Sequence, residues 1–469
     1  MRLIKINRIN VSKCIFINLL GLLLISCAIR KEVEHSTIIQ ETFHDSTFIP
    51  NHWVTNSDTN AVSDNWLKTF NDPILDSIVA EAIRNNFDLK GAANNVTIAQ
   101  QNIIVVSSKM KPQIGIDASY TGIVDDENAT YFGSAKAFAL VSWEPDIWGK
   151  VRAQEAEAIA KYQATAFDYK YAIQSLAATV AKSWYLAVEA SQIVSLFESV
   201  VEIQSEVVEL VKVKRKLGKV GDLDVAEATA NLNEVQNALL QSQGIYEETK
   251  RNLEVLLGRY PSAEIQTAKD FSPLPPPVKA GIPSVLIERR PDIVAAEKLV
   301  IAAFRKEEAA ELALLPSFPL TLGGGLLSDA LLSILQLNPW MIGAEIGMSV
   351  PVYTGGRLTA QIEIATAEQQ QALANYGSVI LNAFKEVEND LMYENILAQR
   401  LPYQQSVVEN RTEAVQIATK KYELGKIDLL PVLQLQTALI ASQEEYIKLK
   451  KAQLNNRIDL HLALGGNFE

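Results

Sequence analysis

The chain has 469 residues, 48% of them apolar and 21% charged, with a formal charge of −12. This composition excludes a chain disordered over most of its length, and an acidic balance without a basic face excludes nucleic-acid binding. Two cysteines and four histidines leave little material for a disulfide framework or a metal centre.

Arg2, Lys5, Arg8 and Lys13 precede an uncharged stretch from Cys14 to Ser26 that is rich in leucine. It is too short and wrongly flanked for a spanning helix, so residues 1–26 read as a secretory signal peptide. Leu24-Ile25-Ser26-Cys27 resembles a bacterial lipobox, which makes Cys27 the expected lipidation site, with the covalent lipid the only non-protein group expected. Residue 28 is Ala and not Asp, so the expected address is the outer membrane. Cys14 leaves with the signal, and a mature chain without disulfides must be stabilised by packing. Residues 27–60 are expected to form a poorly ordered, lipidated tether carrying His35, His44 and His52.

The remainder aligns with itself. At an offset of 207, Pro112 meets Pro319, Gly149-Lys150 meets Gly356-Arg357, and Leu217-Gly218-Lys219-Val220 meets Leu424-Gly425-Lys426-Ile427. Upstream the offset is 204, pairing Asp88-Leu89 with Asp292-Ile293. A duplicated unit follows, with repeats at 61–260 and 281–469 and a proline-rich linker at 261–280.

Each repeat holds two segments with the period of a strand. In Gln113 to Ile123, Ile114, Ile116, Ala118 and Tyr120 alternate with polar residues; Ser134 to Trp143 is a weaker partner, and together they predict a hairpin at about 112–144. In the second repeat, Leu320 to Leu326 and Trp340 to Val350 predict a hairpin at about 318–350. Segments of about ten residues suit tilted strands that cross a bilayer, or soluble hairpins with one buried face. Four strands cannot close a membrane barrel, so a spanning sheet requires several chains.

The rest is helical. No proline occurs between Pro145 and Pro261, and the run from Val151 to about Leu217 would extend roughly 100 Å as one helix. A break at Gly218 to Asp222, with Asp222 or Asp224 as cap, turns the chain into a returning helix that ends near Leu257. The second repeat copies this hairpin at about 356–465, breaking at Gly425 to Asp428, with Pro402 expected to interrupt or kink the outgoing helix. Closely spaced alanines such as Ala153, Ala156 and Ala160 suit tight helix packing, also compatible with an ordinary coiled-coil rod.

Several motifs in this order resemble the outer-membrane factor (TolC-like) family, specifically its lipoprotein branch in RND-type efflux systems. They are Trp66 with Phe70-Asn71-Asp72-Pro73, Asn86-Phe87-Asp88-Leu89, Trp143-Glu144-Pro145-Asp146-Ile147-Trp148-Gly149-Lys150, Glu288-Arg289-Arg290-Pro291-Asp292-Ile293, Pro351-Val352-Tyr353-Thr354-Gly355-Gly356-Arg357 and Ala463-Leu464-Gly465-Gly466. The resemblance covers essentially the whole mature chain. It implies a mainly α fold with a small membrane β part, in which four strands per chain trimerise into a twelve-stranded β-barrel continued by an α-helical barrel. It further implies that Leu217, Gly218, Val220, Leu424, Gly425 and Ile427 dock a periplasmic adaptor, although glycines there also serve plain turn chemistry. In this family acidic rings often close the channel; here Gln434 stands at the expected acidic position, leaving Tyr422, Lys426, Asp428 and Gln434 as the constriction set. Asp428 is equally suited to capping a helix.

No histidine sits in a metal-ligand or nucleophile–base arrangement, and no phosphate-cradling glycine loop occurs. The chain therefore reads as no enzyme but as an outer-membrane channel subunit of a tripartite efflux pump, passing drugs, metals or other toxic compounds from an RND-type inner-membrane pump and its adaptor. Two alternatives stay open: the conduit of a type I protein secretion system, and a lipid-anchored periplasmic coiled-coil scaffold.

Overall fold

The computed structural model describes residues 34–43, 49–55, 62, 64–125, 130–328 and 340–468; the signal segment, Cys27 and His44 lie outside the described residues. In chain order it forms α1 (His35–Phe43), a 3-10 turn (Trp66–Phe70), α2 (Pro73–Asn85), α3 (Phe87–Ser107), β1 (Gln113–Asp125), β2 (Thr130–Trp143), α4 (Lys150–Lys216) and α5 (Asp222–Leu256). Then follow α6 (Pro283–Arg289), α7 (Pro291–Leu312), β3 (Leu320–Ser328), β4 (Trp340–Ile346), α8 (Arg357–Glu423) and α9 (Leu429–Ala463). Two compact units result, and each draws on both sequence repeats: one holds Asn95–Ala166 and Ala295–Gly377 with α1, the other Thr47–Asn94, Phe167–Val294 and Ser378–Glu469.

In the first unit the four strands form one antiparallel sheet in the order β1-β2-β3-β4, so the two hairpins join through β2 and β3. The register aligns Ile116 with Ala139, Ala139 with Gly324, and Gly324 with Ile342; Ile114, Val141, Leu322 and Ala344 form the next such row. Because facing residues share a side of the sheet, the alternations of all four strands merge into one apolar face. That face is not covered within the chain: Ile116, Ile342 and Ile346 are each 82% exposed. The other face carries Asp117, Lys136, Thr321 and Glu345. The glycines that weaken β3 by propensity have a packing reason, since a Cβ on Gly325 would lie 2.7 Å from Phe138 Cα and one on Gly323 2.7 Å from Leu140 Cδ2.

Several expectations need correction. The fourth strand ends at Ile346 and not at Val350: Gly347 N–H donates to Pro319 O (2.9 Å), and pairing resumes only as the Ser317–Ser349 bridge. The tether is partly ordered, because Ile38 of α1 is fully buried and His35 Nδ1 lies 2.7 Å from Glu297 Oε2. In the second unit, Trp53 is buried and donates to Ala280 O at 3.1 Å, while Glu388 accepts from the Val54 and Thr55 backbone. Pro402 does not interrupt α8, since Arg400–Glu445 (3.0 Å) and Gln404 Nε2 to Ser442 O (2.9 Å) fasten both sides of the missing N–H donor to α9.

The second unit is centred on Trp66, Phe70, Trp184, Tyr185, Leu253 and Ile458. The proline-rich segment 261–280 is a packed strap and not a loose spacer: Tyr185 Oη meets Ser272 Oγ at 2.6 Å, Tyr246 Oη meets Thr267 Oγ1 at 2.7 Å, and Arg457 donates to Pro275 O at 2.6 Å. The prolines keep the segment out of helix and sheet, so a backbone carbonyl such as Pro275 O takes a side-chain donor instead of a backbone one. Arg290, 3% exposed, is the polar tie of this unit, bonding Asp292 through Nε (2.9 Å) and Nη2 (3.0 Å), Glu386 (2.6 Å) and Ala463 O (3.3 Å). Burial alone would lower its pKa, but the hydrogen bond and charge of Asp292 and the charge of Glu386 outweigh burial and raise it.

Candidate functional site

The two helical hairpins of the second unit turn in the same way. At the end of α4, Gly218 N–H donates to Arg215 O (2.9 Å) and Lys219 N–H to Lys214 O (2.9 Å). At the end of α8, Gly425 N–H donates to Tyr422 O (3.0 Å) and Lys426 N–H to Lys421 O (2.8 Å). This paired bonding is the Schellman closure, and it needs the left-handed backbone found at Gly218 (φ 68°) and Gly425 (φ 72°). Neither predicted acid at the first tip is the N-cap of α5; that position is Gly221, whose N–H donates to Asp224 Oδ2 at 3.1 Å, while Asp222 pairs with Arg215 at 2.5 Å. Asp428 is the N-cap residue of α9, but its side chain makes no cap bond.

Behind the turns all four helices share one core of Val207, Val208, Val211, Ala228, Tyr422, Leu429, Val432 and Leu433. The buried Lys214 ammonium sits 3.8 Å above the Tyr422 ring and donates to Tyr422 O. Desolvation, then the Lys219 charge, lower its pKa against Glu423, and burial raises that of the Tyr422 phenol. A buried hydrogen bond between side-chain amides, from Gln204 Nε2 to Gln436 Oε1 at 2.9 Å, joins α4 to α9.

These contacts sort the predicted residues. Leu217 (65% exposed) and Leu424 (67%) project from the turns with exposed Gly218 and Gly425, whereas Val220 and Ile427 pack against the tip core. Of the proposed constriction set, Lys426, Asp428 and Gln434 face solvent, but Tyr422 is buried inside its own chain and does not share their surface. Sequence reading missed Leu223 (73% exposed) and Leu430 (56% exposed), which double the apolar surface at each tip. They too are 207 apart, so the repeat offset that paired Leu217 with Leu424 could have found them.

Each hairpin thus ends in two exposed leucines beside a Schellman turn. Among the described residues no group of His, Cys, Asp and Glu could hold a metal ion, and no helix is long and apolar enough to cross a membrane. A model of the outer membrane efflux protein family matches residues 78–259 and 282–466. The chain belongs to this family.

Its relatives among outer membrane efflux proteins include the pyoverdine export outer membrane protein OpmQ of Pseudomonas aeruginosa, 30% identical over 423 residues that cover 86% of this chain and 87% of OpmQ. The cation efflux system protein CusC of Escherichia coli is 27% identical over 410 residues, covering 86% of this chain and 88% of CusC. Crystal structures of CusC, described as forming a transmembrane channel, superpose with a TM-score of 0.78 at 25% identity, covering 90% of this chain and 98% of that one. The CmeC outer membrane channel of Campylobacter jejuni shares the fold, with a TM-score of 0.80 at 22% identity and 95% of each chain covered. The mainly helical chain with one four-stranded sheet is therefore an outer membrane efflux channel fold, and its relatives are channels and not enzymes.

Proposed function

We propose that this efflux protein works as a homotrimer, anchored in the outer membrane by lipid on Cys27, that passively conducts small toxic molecules delivered by a periplasmic adaptor and an RND-type inner-membrane pump. The observation that carries the trimer is the sheet: β1 and β4 each pair on one side only, yet the sheet has an exposed apolar face. An unpaired strand edge costs several kcal/mol per polar group in hydrocarbon, so the strands must be completed by other copies of the chain. The adaptor reading rests on Leu217, Leu223, Leu424 and Leu430 at the tips. Substrates in the small-molecule class are supported by relatives named for pyoverdine export, cation efflux and toluene efflux.

The test is cross-linking in native membranes, then capture of this protein and identification of what accompanies it. A trimer with an adaptor and a proton-driven exporter is expected. An ABC exporter instead would move the function to protein secretion, and a monomer without partners or pores would leave only a scaffold. Labelling with a radioactive fatty acid, lost on Cys27→Ser, tests the anchor.

A further inference from the structure

Where the strands of the first unit hand over to the helices, a hollow of about 820 Å³ is lined from both repeats. Its carboxylates are mostly spent: Asp146 accepts from Val151 N (3.0 Å) and Arg152 N (2.9 Å) and pairs with Arg152 Nε (3.2 Å), while Glu157 pairs with Lys161 (2.7 Å). Lys306 is likewise neutralised, by Glu368 at 2.5 Å. Three lining cations have no carboxylate partner among the described residues: Lys109, which reaches only Gln154 Oε1 (3.5 Å), Arg357, which reaches only Gln361 Oε1 (3.4 Å), and Lys150. One lining carboxylate, Glu144, is also without a partner, so the hollow is left with an excess of positive charge in a chain whose formal charge is −12.

Lys150 and Arg357 occupy equivalent positions in the two repeats, each the first residue of a long helix without an acid in its first turn. The helix dipole disfavours a cation at the first residue of a helix, so both repeats carry the less stable choice of charge there.

The hollow's side of the wall follows from α1. On α7, Glu297 holds His35 of α1, while the lining residues Lys306 and Ala309 stand about 180° and about 120° further round the helix. On α8, Gly377 lies under Thr42 of α1, a Cβ there meeting Thr42 Cγ2 at 3.0 Å, whereas Arg357 and Gln361 stand about 160° away on the opposite side. Two helices thus put α1 and the hollow on opposite faces. With the proposed lipid on Cys27, eight residues before α1, the α1 side of these helices is the outer one, so the hollow opens inward.

The geometry points to a cationic collar of Lys109, Lys150 and Arg357, repeated by the trimer, that selects anionic solutes carrying carboxylate or phosphate groups as they enter the barrel. This rests on the channel reading and names the substrate class the channel favours. On the same face of the sheet Glu345, near the strand bases, and Asp117 oppose the collar, whereas Lys136 stands farther along β2. Charged rings set selectivity in pores of this kind.

The test is the chloride-to-potassium permeability ratio of the full-length protein in planar bilayers, for wild type and the triple variant K109Q/K150Q/R357Q. The ratio is expected to fall about threefold or more in the variant. Wild-type pores whose ratio the variant leaves unchanged overturn the collar alone, whereas a wild type that forms no pores overturns the channel reading with it. Should the triple variant fail to assemble, pyrophosphate added from the barrel side of wild-type pores decides. It should reduce the current where equimolar spermidine does not, and equal block by both would refute the proposal.

Discussion

Arg290→Met should destabilise the protein by about 3 kcal/mol. The side chain is 3% exposed and bonds Asp292 through two nitrogens, Glu386, and the Ala463 carbonyl at the end of α9. Deleting one partner of a buried, hydrogen-bonded charge pair costs about 3–5 kcal/mol, because the abandoned carboxylate stays desolvated. The Asp292 side chain, 20% exposed, bears most of this, whereas Glu386 is 46% exposed and its share is largely screened by solvent. The lower end of the range is therefore expected, roughly a 150-fold change in the unfolding equilibrium. Lysine keeps the charge but not the two-nitrogen fork, so Arg290→Lys should lose about half as much. Urea denaturation in detergent, followed by the fluorescence of Trp66 and Trp184 in the adjoining core, reads both. The deficit of the methionine variant should shrink at acid pH, as the stranded carboxylates take up protons. A methionine variant within about 0.5 kcal/mol of wild type at neutral pH would refute the reasoning.

Burial, reinforced by Asp459 and Glu386 and opposed by Lys182 and Arg290, pushes the Asp390 carboxyl up to about 7. The folded state then holds a proton that the unfolded state releases, so stability falls as pH rises from about 4 to 7 and the loss is complete above that. Asp390→Asn should remove this slope and gain about 2 kcal/mol at pH 8, after discounting for partial solvent exposure, with no gain at pH 3; a gain independent of pH would contradict the assignment. Gly425→Ala meets no atom within 4 Å and should cost about 1 kcal/mol for the left-handed backbone alone. Gly258→Ala, whose Cβ would lie 2.8 Å from Asn85 O, should cost clearly more by the same denaturation assay. Leu217→Asp with Leu424→Asp replaces exposed side chains and should leave the denaturation midpoint unchanged while abolishing adaptor cross-linking; retained cross-linking would remove these leucines from the docking surface.

Much of this protein is local and so was legible in the chain. The period of two in Gln113 to Ile123, the proline-free run before Gly218, and the glycines at the two turns each act through near neighbours, and the 207-residue offset paired the two turns. The same offset would have found Leu223 and Leu430. What tertiary structure decided depends on residues far apart in the chain. Tyr422 reads as an available polar aromatic until α4 brings Lys214 over its ring. The proline-rich strap looks like a linker because its partners, Tyr185 and Arg457, lie in distant helices. Lys109, Lys150 and Arg357 are unremarkable cations on a largely acidic chain, and only the pairing of β2 with β3 draws the ends of both repeats together around one hollow. Periodicity reports which face of an element is apolar, whereas the partner of a charge is set by packing, which no local pattern encodes.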